Sequence, residues 1–182
     1  HPPLEVLVTV DEETGMYGAF ALQGGLLQGK TLLNLDSEAE GELYVGCAGG
    51  VDTTAKFAYT PVEVEEGDVA VKVSVTGCKG GHSGCDIHLQ RANANKLLFR
   101  FLKEAVANYE ARLASVEGGS LRNAIPREAS AIITIPAEGL DEVMDLVAEF
   151  EDLFVAEYDG VEDNIRFMAE QVECPATELP ED

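Results

Sequence analysis

The sequence predicts an α/β protein in two parts, and two observations carry that prediction. The N-terminal segment alternates strand-like apolar runs with a short apolar helix, a pattern typical of an open α/β sheet. The remainder follows the order β-α-β-β-α-β, which is the split βαβ or ferredoxin-like arrangement. We therefore expect a partial domain over residues 1–49 and a ferredoxin-like, incomplete domain over residues 50–182.

In the N-terminal part, three apolar runs predict strands. Residues 4–10 are mostly β-branched and apolar, like a strand that is covered on both faces. Further strands are expected at residues 31–35 and 41–46, and a short helix is expected at residues 16–22. Because three strands and one helix cannot cover both faces of such a sheet, we expect this part to belong to something larger.

In the second part, alternation and helical spacing define the elements. Alternating valines from residue 71 to residue 75 predict a half-buried strand. Leu97, Leu98 and Phe101 follow the spacing of an amphipathic helix, so we expect them to face inward. The predicted elements are strands at 51–59 and 71–76, a helix at 88–109, strands at 112–117 and 130–135, a helix at 140–154 and a strand at 164–169.

The charge balance excludes several kinds of partner. The chain has 182 residues, with 12 basic against 34 acidic side chains and a formal net charge of −22. Nucleic acids and anionic membranes bind cationic patches, so we expect neither as a partner. No apolar run approaches the ~20 residues of a membrane span, and we expect no signal peptide. The four cysteines form no disulfide framework, so we expect cytoplasmic localisation.

Acidic residues follow two of the predicted strands. Asp11, Glu12 and Glu13 come directly after the first strand, and Asp36 ends the next one. If those strands are parallel neighbours, the carboxylates meet at one sheet edge and can form a two-metal site. An acidic turn with ordinary capping residues explains the same side chains equally well. A catalytic zinc usually has a histidine ligand, and His1 is the only histidine of this part, so it cannot build a standard zinc site by itself.

A glycine-rich loop at residues 77–88 displays His82 among four glycines. A histidine on such a loop can donate a hydrogen bond to a substrate oxyanion. Cys78, Cys85 and His88 offer a second interpretation, a zinc tetrad with His82, although the spacing matches no standard zinc finger. A third interpretation is an ordinary strand-to-helix loop with an exposed histidine.

Several ordered motifs of the chain occur together in one known family. Residues 8–15 (VTVDEETG), 80–84 (GGHSG) and 118–126 (GGSLRNAIP) stand in this order. They resemble the T-x-[DE]-E-E-x-G, G-x-H-S and G-G-x-x-x-N-x-[IV]-P motifs of the di-zinc metallopeptidases of the aminoacylase and carboxypeptidase type. Residues 43–50 (LYVGCAGG) and 92–98 (ANANKLL) narrow the resemblance to the bacterial aminoacyl-histidine (Xaa-His) dipeptidases, the carnosine-cleaving branch.

For the N-terminal part, the resemblance implies part of a zinc-peptidase catalytic domain with its α/β sheet. It implies that Glu12 is the general base that activates a metal-bound water. Glu13 is implied as a ligand of one zinc and Asp36 as a ligand of the other. The implied cofactor is two Zn²⁺ ions per active site in the complete enzyme, with Co²⁺ or Mn²⁺ as alternatives.

For the second part, the resemblance implies the lid and dimerisation domain of the family. It implies that His82 stabilises the tetrahedral oxyanion, within its own chain or across a dimer. Asn123, together with Arg122, is implied to bind the dipeptide substrate. The implied activity is metal-dependent hydrolysis of carnosine-like Xaa-His dipeptides, and a homodimer through the lid is implied as well.

The chain also departs from the family in ways that limit its own activity. The family's N-terminal H-x-D motif, its bridging aspartate and its C-terminal ligand histidine are absent from these 182 residues. We therefore expect an internal fragment of a dipeptidase that is inactive alone. Two other classes stay open, a non-catalytic lid or dimerisation module and a domain that binds small ligands.

Overall fold

The computed structural model describes residues 3–36, 39–47 and 49–180. The chain divides into two compact units, His1–Lys56 and Phe57–Asp182, and each is described by itself.

The first unit contains two short helices, α1 (Glu12–Gly15) and α2 (Tyr17–Phe20). Its described residues, 3–36, 39–47 and 49–56, form no strand, so the strands predicted at residues 4–10, 31–35 and 41–46 are wrong as paired elements. The helix predicted at residues 16–22 is also shorter than expected. An apolar run becomes a strand only when another strand accepts its backbone hydrogen bonds, and the described residues of this unit supply none.

The side chains of the first unit are correspondingly open. Leu4, Val6 and Val8, expected to be covered on both faces, are 83%, 87% and 84% exposed. Apolar side chains in this number are normally buried by a neighbouring layer of structure. The sequence pattern therefore predicts buried side chains, but the described residues of this unit do not bury them.

The second unit has the order β-α-β-β-α-β at its centre, as predicted. Short strands and two short 3₁₀ helices, Ile87–Leu89 and Ala137–Gly139, surround this centre. The elements are β1 (Val62–Glu63), β2 (Asp68–Thr76), β3 (Gly81–His82), α3 (Ala94–Asn108), β4 (Arg112–Gly118), β5 (Ala124–Ile125), β6 (Ala129–Pro136), α4 (Leu140–Glu157), β7 (Arg166–Val172) and β8 (Thr177–Glu178).

The main sheet has four strands in the order β4-β6-β2-β7, with every neighbouring pair antiparallel. Val73 in β2 sits between Ala131 of β6 and Ala169 of β7. This order is the ferredoxin-like one, so the predicted fold class is confirmed for this unit. Two smaller ladders accompany the sheet: β1 pairs with β8, and β3 pairs with β5.

Both long helices belong to one hydrophobic core with the sheet. Leu97, Leu98 and Phe101 of α3 are fully buried, which confirms the inward face predicted for this helix. Phe101 packs edge-to-face on Phe167 of β7, with ring centroids 5.0 Å apart, and Phe154 of α4 meets the same ring at 5.5 Å. Burial of each such side chain contributes ~1.5–3 kcal/mol, so this aromatic cluster anchors the helices to the sheet.

The start of α3 differs from the prediction. The helix was expected from residue 88, but it begins at Ala94, where Asn93 Oδ1 accepts from the Lys96 backbone N–H at 3.2 Å. Residues before it form the separate 3₁₀ turn, which ends at Gln90 in the left-handed region with φ 53°. That backbone cannot continue a right-handed helix, so the loop carrying His82 is longer than the sequence pattern indicates.

The strand predicted at residues 51–59 is not formed, and the short β1 (Val62–Glu63) follows it instead. Over the described ranges, no helix has both the length and the apolar character needed to cross a bilayer.

Candidate active-site residues

A short ladder brings His82 and Asn123 next to each other. In the pairing of β3 with β5, Gly81 lies opposite Ile125 and His82 opposite Ala124. The backbone N–H of Ser83 also donates to the Asn123 carbonyl at 2.7 Å. Two residues that are far apart in the sequence are thus held on adjoining backbone, with Asn123 half-buried and His82 exposed.

The imidazole of His82 is oriented by its own loop. Its Nδ1 atom accepts from the backbone N–H of Gly84 at 3.0 Å and from that of Cys85 at 3.1 Å. A nitrogen that accepts two N–H groups carries no proton, so the neutral ring has its hydrogen on Nε2. The exposed His82 side chain therefore presents an Nε2–H donor away from the loop, which an oxyanion can accept.

Gly81 explains part of the glycine richness of this loop. Its φ of 144° lies outside the region that other residues favour, and a Cβ atom there would come within 2.6 Å of Arg91 Nη1 and of Asp86 Oδ2. The same Arg91 nitrogen donates to the Gly80 carbonyl at 2.6 Å. The glycines therefore let the backbone pass close to a charged pair inside the loop.

The base of the loop is held by a buried carboxylate. Glu162, only 8% exposed, accepts from the Lys79 backbone N–H at 2.8 Å and from the Ala92 backbone N–H at 2.9 Å. On the surface beside it, Lys79 Nζ donates to the Val161 carbonyl at 2.6 Å and pairs with Asp163 at 2.9 Å. The connection between α4 and β7 thus binds both ends of the loop that carries His82.

Cys78, next to this carboxylate, is a buried thiol. Burial, followed by the negative charge of Glu162, raises its pKa from 9.0 to about 11. Such a thiol stays protonated at neutral pH. The zinc tetrad considered for Cys78, His82, Cys85 and His88 gains no support, since the described ranges hold no cluster of three or more metal-ligating His, Cys, Asp or Glu side chains.

A groove of about 750 Å³ lies beside the His82 loop. Arg122 lines it together with Arg91 and Lys96, so three of the chain's 12 basic residues converge on one concavity. The N-terminal end of α3 adds its backbone dipole to the same wall. In a chain of net charge −22, this is a place suited to a carboxylate group.

The acidic candidates lie in the first unit and are exposed. Glu12 and Glu13 open α1, and Asp11 precedes them in the left-handed region with φ 59°. The Asp11 carbonyl accepts from the Met16 backbone N–H at 2.6 Å, which closes the turn. Asp36 ends a separate Asx turn, in which its backbone N–H donates to Asn34 Oδ1 at 3.0 Å.

Glu13 and Asp36 are carboxylates of the kind that divalent metals bind. A catalytic metal site usually needs about three protein ligands, and no group of that size occurs among residues 3–36, 39–47 and 49–180. The residues present therefore do not fit a complete metal site by themselves.

The central part of the chain is similar to a known family of protein domains. Residues 73–162 match the peptidase dimerisation domain.

Two dipeptidases are similar to nearly the whole of this chain. The chain is 46% identical over 172 residues to the cytosol non-specific dipeptidase of Escherichia coli (strain K12), covering 94% of this chain and 36% of that protein. It matches the crystal structure of aminoacylhistidine dipeptidase from Vibrio alginolyticus with a TM-score of 0.79 and 45% identity, covering 94% of this chain and 35% of that one. The resemblance to the Xaa-His dipeptidases is thereby confirmed. The chain spans about a third of the length of these relatives.

Sequence reasoning missed the residues that hold the loop. Asp86, Arg91 and Glu162 contact its backbone. Asp86 lies within the glycine-rich loop 77–88, but Arg91 and Glu162 belong to no motif that the sequence singles out. Glu162 in particular lies in a strongly acidic stretch, where one more carboxylate carries no signal. Only the pairing of distant segments in the fold distinguishes it from its neighbours.

Proposed function

We propose that this chain is the central segment of a metal-dependent dipeptidase that hydrolyses Xaa-His dipeptides of the carnosine type. The similarity to two dipeptidases over 94% of the chain supports the reaction class. Their coverage of only about a third supports a contribution to a longer enzyme rather than a complete one. On this proposal, residues 1–49 are part of the catalytic domain and residues 50–182 are the lid.

The observation that carries the proposal is the hydrogen bonding of His82. Its Nδ1 atom is occupied by the N–H groups of Gly84 and Cys85, so Nε2–H is the ring's free donor. When water attacks the scissile carbonyl, negative charge develops on the oxygen, and a fixed donor stabilises that charge more than it stabilises the substrate. His82 is therefore assigned to the oxyanion.

Asn123 and Arg122 are assigned to substrate binding. Asn123 adjoins His82 through the bond between its carbonyl and the Ser83 N–H. Arg122 lines the groove that also contains Arg91 and Lys96. A dipeptide carries a terminal carboxylate, and guanidinium groups bind that group well through two parallel hydrogen bonds.

The acidic residues of the first unit are assigned by resemblance. Glu12 is the base that takes a proton from the attacking water, and Glu13 and Asp36 each supply one carboxylate to the metal centre. Glu13 and Asp36 would hold part of this centre, and a Zn²⁺ ion, or Co²⁺ or Mn²⁺ in its place, would supply Lewis-acid chemistry there when bound. Since two carboxylates do not complete a metal site, further ligands are required.

A second function is favoured by the peptidase dimerisation domain at residues 73–162. We propose that the second unit also mediates homodimerisation, and that a fragment of this length alone acts only as such a module.

The name of the Escherichia coli relative supports a cytoplasmic location. The net charge of −22 disfavours nucleic acids and membranes as partners.

The test is an assay of histidine release from carnosine. The longer protein containing this chain is purified with Zn²⁺ and compared with the 182-residue chain under the same conditions. We expect hydrolysis by the longer protein and none by the 182-residue chain at any zinc concentration. Hydrolysis by the chain alone would contradict its assignment as a partial enzyme, and no hydrolysis by the longer protein would contradict the dipeptidase assignment.

A further inference from the structure

Glu162 is a buried acid that the proposed reaction does not use. It lies between α4 and β7, it is 8% exposed, and both of its carboxylate oxygens accept backbone hydrogen bonds. A buried carboxylate is costly unless its oxygens are well paired, and charge-assisted bonds to N–H groups are among the stronger hydrogen bonds in proteins. The two backbone hydrogen bonds of Glu162 offset the free-energy cost of burying its carboxylate.

The two donors are the ends of one loop. Oε2 accepts from Lys79 at 2.8 Å and Oε1 accepts from Ala92 at 2.9 Å. The segment between these two residues contains His82. Glu162 therefore closes the loop at its base, and its two hydrogen bonds offset part of the entropy lost when the 79–92 backbone is fixed.

Between Lys79 and Ala92, further contacts connect the base of the loop to the backbone of His82. Arg91, next to Ala92, donates to the Gly80 carbonyl, and Arg91 Nη1 lies 3.6 Å from Asp86 Oδ2. The same Asp86 oxygen accepts from the His82 backbone N–H at 2.8 Å. A displacement of either loop end is thereby passed to the backbone of His82 through direct contacts.

We propose that Glu162 is a positioning residue for His82, which fixes the loop so that Nε2–H stands at the place where the oxyanion forms. The inference rests on the proposed function of His82 as the oxyanion donor. It adds that the α4–β7 connection, which touches neither substrate nor metal in that proposal, controls the geometry of the donor. A misplacement on the order of 1 Å in such a donor can cost ~10²-fold in rate.

The test uses Glu162→Gln in the longer protein loaded with Zn²⁺ and assayed on carnosine. Glutamine has the same shape but one acceptor oxygen, so one of the two backbone bonds is lost while the fold is kept. We expect kcat to fall ~10–100-fold, with KM changed less than about threefold, because the loss concerns the transition state. The matched control is Asp163→Asn, which breaks the exposed pair with Lys79 Nζ and should leave kcat within about twofold.

A double-mutant cycle separates positioning from a merely structural role. In the His82→Ala background, Glu162→Gln should lower kcat no further, because the residue it positions is gone. An equal loss of kcat in both backgrounds would overturn the inference, and so would an unchanged kcat in the single variant. A wild-type protein without dipeptidase activity would instead contradict the proposed function itself, and the positioning inference with it.

Amide hydrogen exchange supplies a readout that does not depend on activity. In the 182-residue chain, Glu162→Gln should speed exchange at Lys79 or Ala92 by at least about tenfold and leave the core strand β2 protected. Unchanged protection at both amides would show that Glu162 does not hold the loop ends. Uniform loss of protection would show a global effect on stability, and would likewise overturn the assignment.

Discussion

Two hydrogen bonds join Asp86 and His82, and each residue donates one of them from its backbone N–H. Asp86 Oδ2 accepts from the His82 N–H at 2.8 Å, and the Asp86 N–H donates to the His82 carbonyl at 2.9 Å. Together with the two N–H groups that donate to Nδ1, these bonds fix both the backbone and the ring of His82. The tight turn after β3 therefore favours the His82 tautomer that carries its hydrogen on Nε2.

That geometry predicts the protonation pattern of His82 directly. At a pH where the ring is neutral, ¹⁵N NMR of the chain should show a hydrogen on Nε2 and none on Nδ1, because Nδ1 accepts from Gly84 and Cys85. The exposed His88 serves as the internal comparison. A His82 ring protonated mainly on Nδ1 would contradict the described turn.

A matched pair of phenylalanines on α3 tests the core. Phe101 is fully buried in the aromatic cluster, whereas Phe99, on the same helix, is 53% exposed. Phe101→Ala should lower the free energy of unfolding by ~3–5 kcal/mol, because it leaves a cavity among Phe150, Phe154 and Phe167. Phe99→Ala should cost less than about 1 kcal/mol. Chemical denaturation measures both, and equal losses would show that the inward face is misassigned.

The buried thiol of Cys78 predicts how stability depends on pH. Its pKa is raised from 9.0 to about 11 in the folded state, mainly by burial. Between those values the folded protein keeps a proton that the unfolded chain has lost, so stability is full below pH 9 and declines as pH rises toward 11. Cys78→Ala should flatten this decline. The exposed Cys85→Ala should leave it unchanged, and a decline that both variants share equally would point to other groups.

The acidic residues of the first unit predict two different losses in the longer protein. Glu12→Gln should lower kcat by ~10²–10⁴-fold with metal content preserved, because a general base moves a proton and does not hold the ion. Glu13→Ala should instead reduce the bound metal. Elemental analysis alongside kinetics separates the two, and equal metal loss in both variants would show that the roles are exchanged or shared.

The fold of the second unit could be predicted because its signals are local. Alternating valines in β2 and the helical spacing of Leu97, Leu98 and Phe101 each mark a buried face without knowledge of the partner. The element order then restricts the topology to very few arrangements. The start of α3 could not be found this way, because it depends on the left-handed backbone of Gln90, which no periodicity records.

The structure of the first unit, and the residues that hold the His82 loop, could not be predicted because they depend on contacts between distant segments. Residues 4–10 carry a strand pattern, but a strand exists only with a paired neighbour, and that information is not local. Glu162 is distinguished only by burial and by bonds to Lys79 and Ala92, far away in the sequence. Motifs singled out His82 and Asn123, and the pairing of β3 with β5 makes them neighbours. The roles assigned to these two and to Glu12, Glu13, Asp36 and Arg122 stay predictions.

The central claim is that His82 acts on the transition state of dipeptide hydrolysis, and steady-state kinetics of the longer protein on carnosine tests it most directly. His82→Ala should lower kcat and kcat/KM together by ~10²–10³-fold with KM and metal content nearly unchanged, because the lost hydrogen bond forms fully only as the oxyanion develops. Asn123→Ala, its neighbour across the β3–β5 ladder, should mainly raise KM, because it binds a part of the substrate that does not react. A His82→Ala variant that loses metal, or that raises KM at an unchanged kcat, would contradict the assignment.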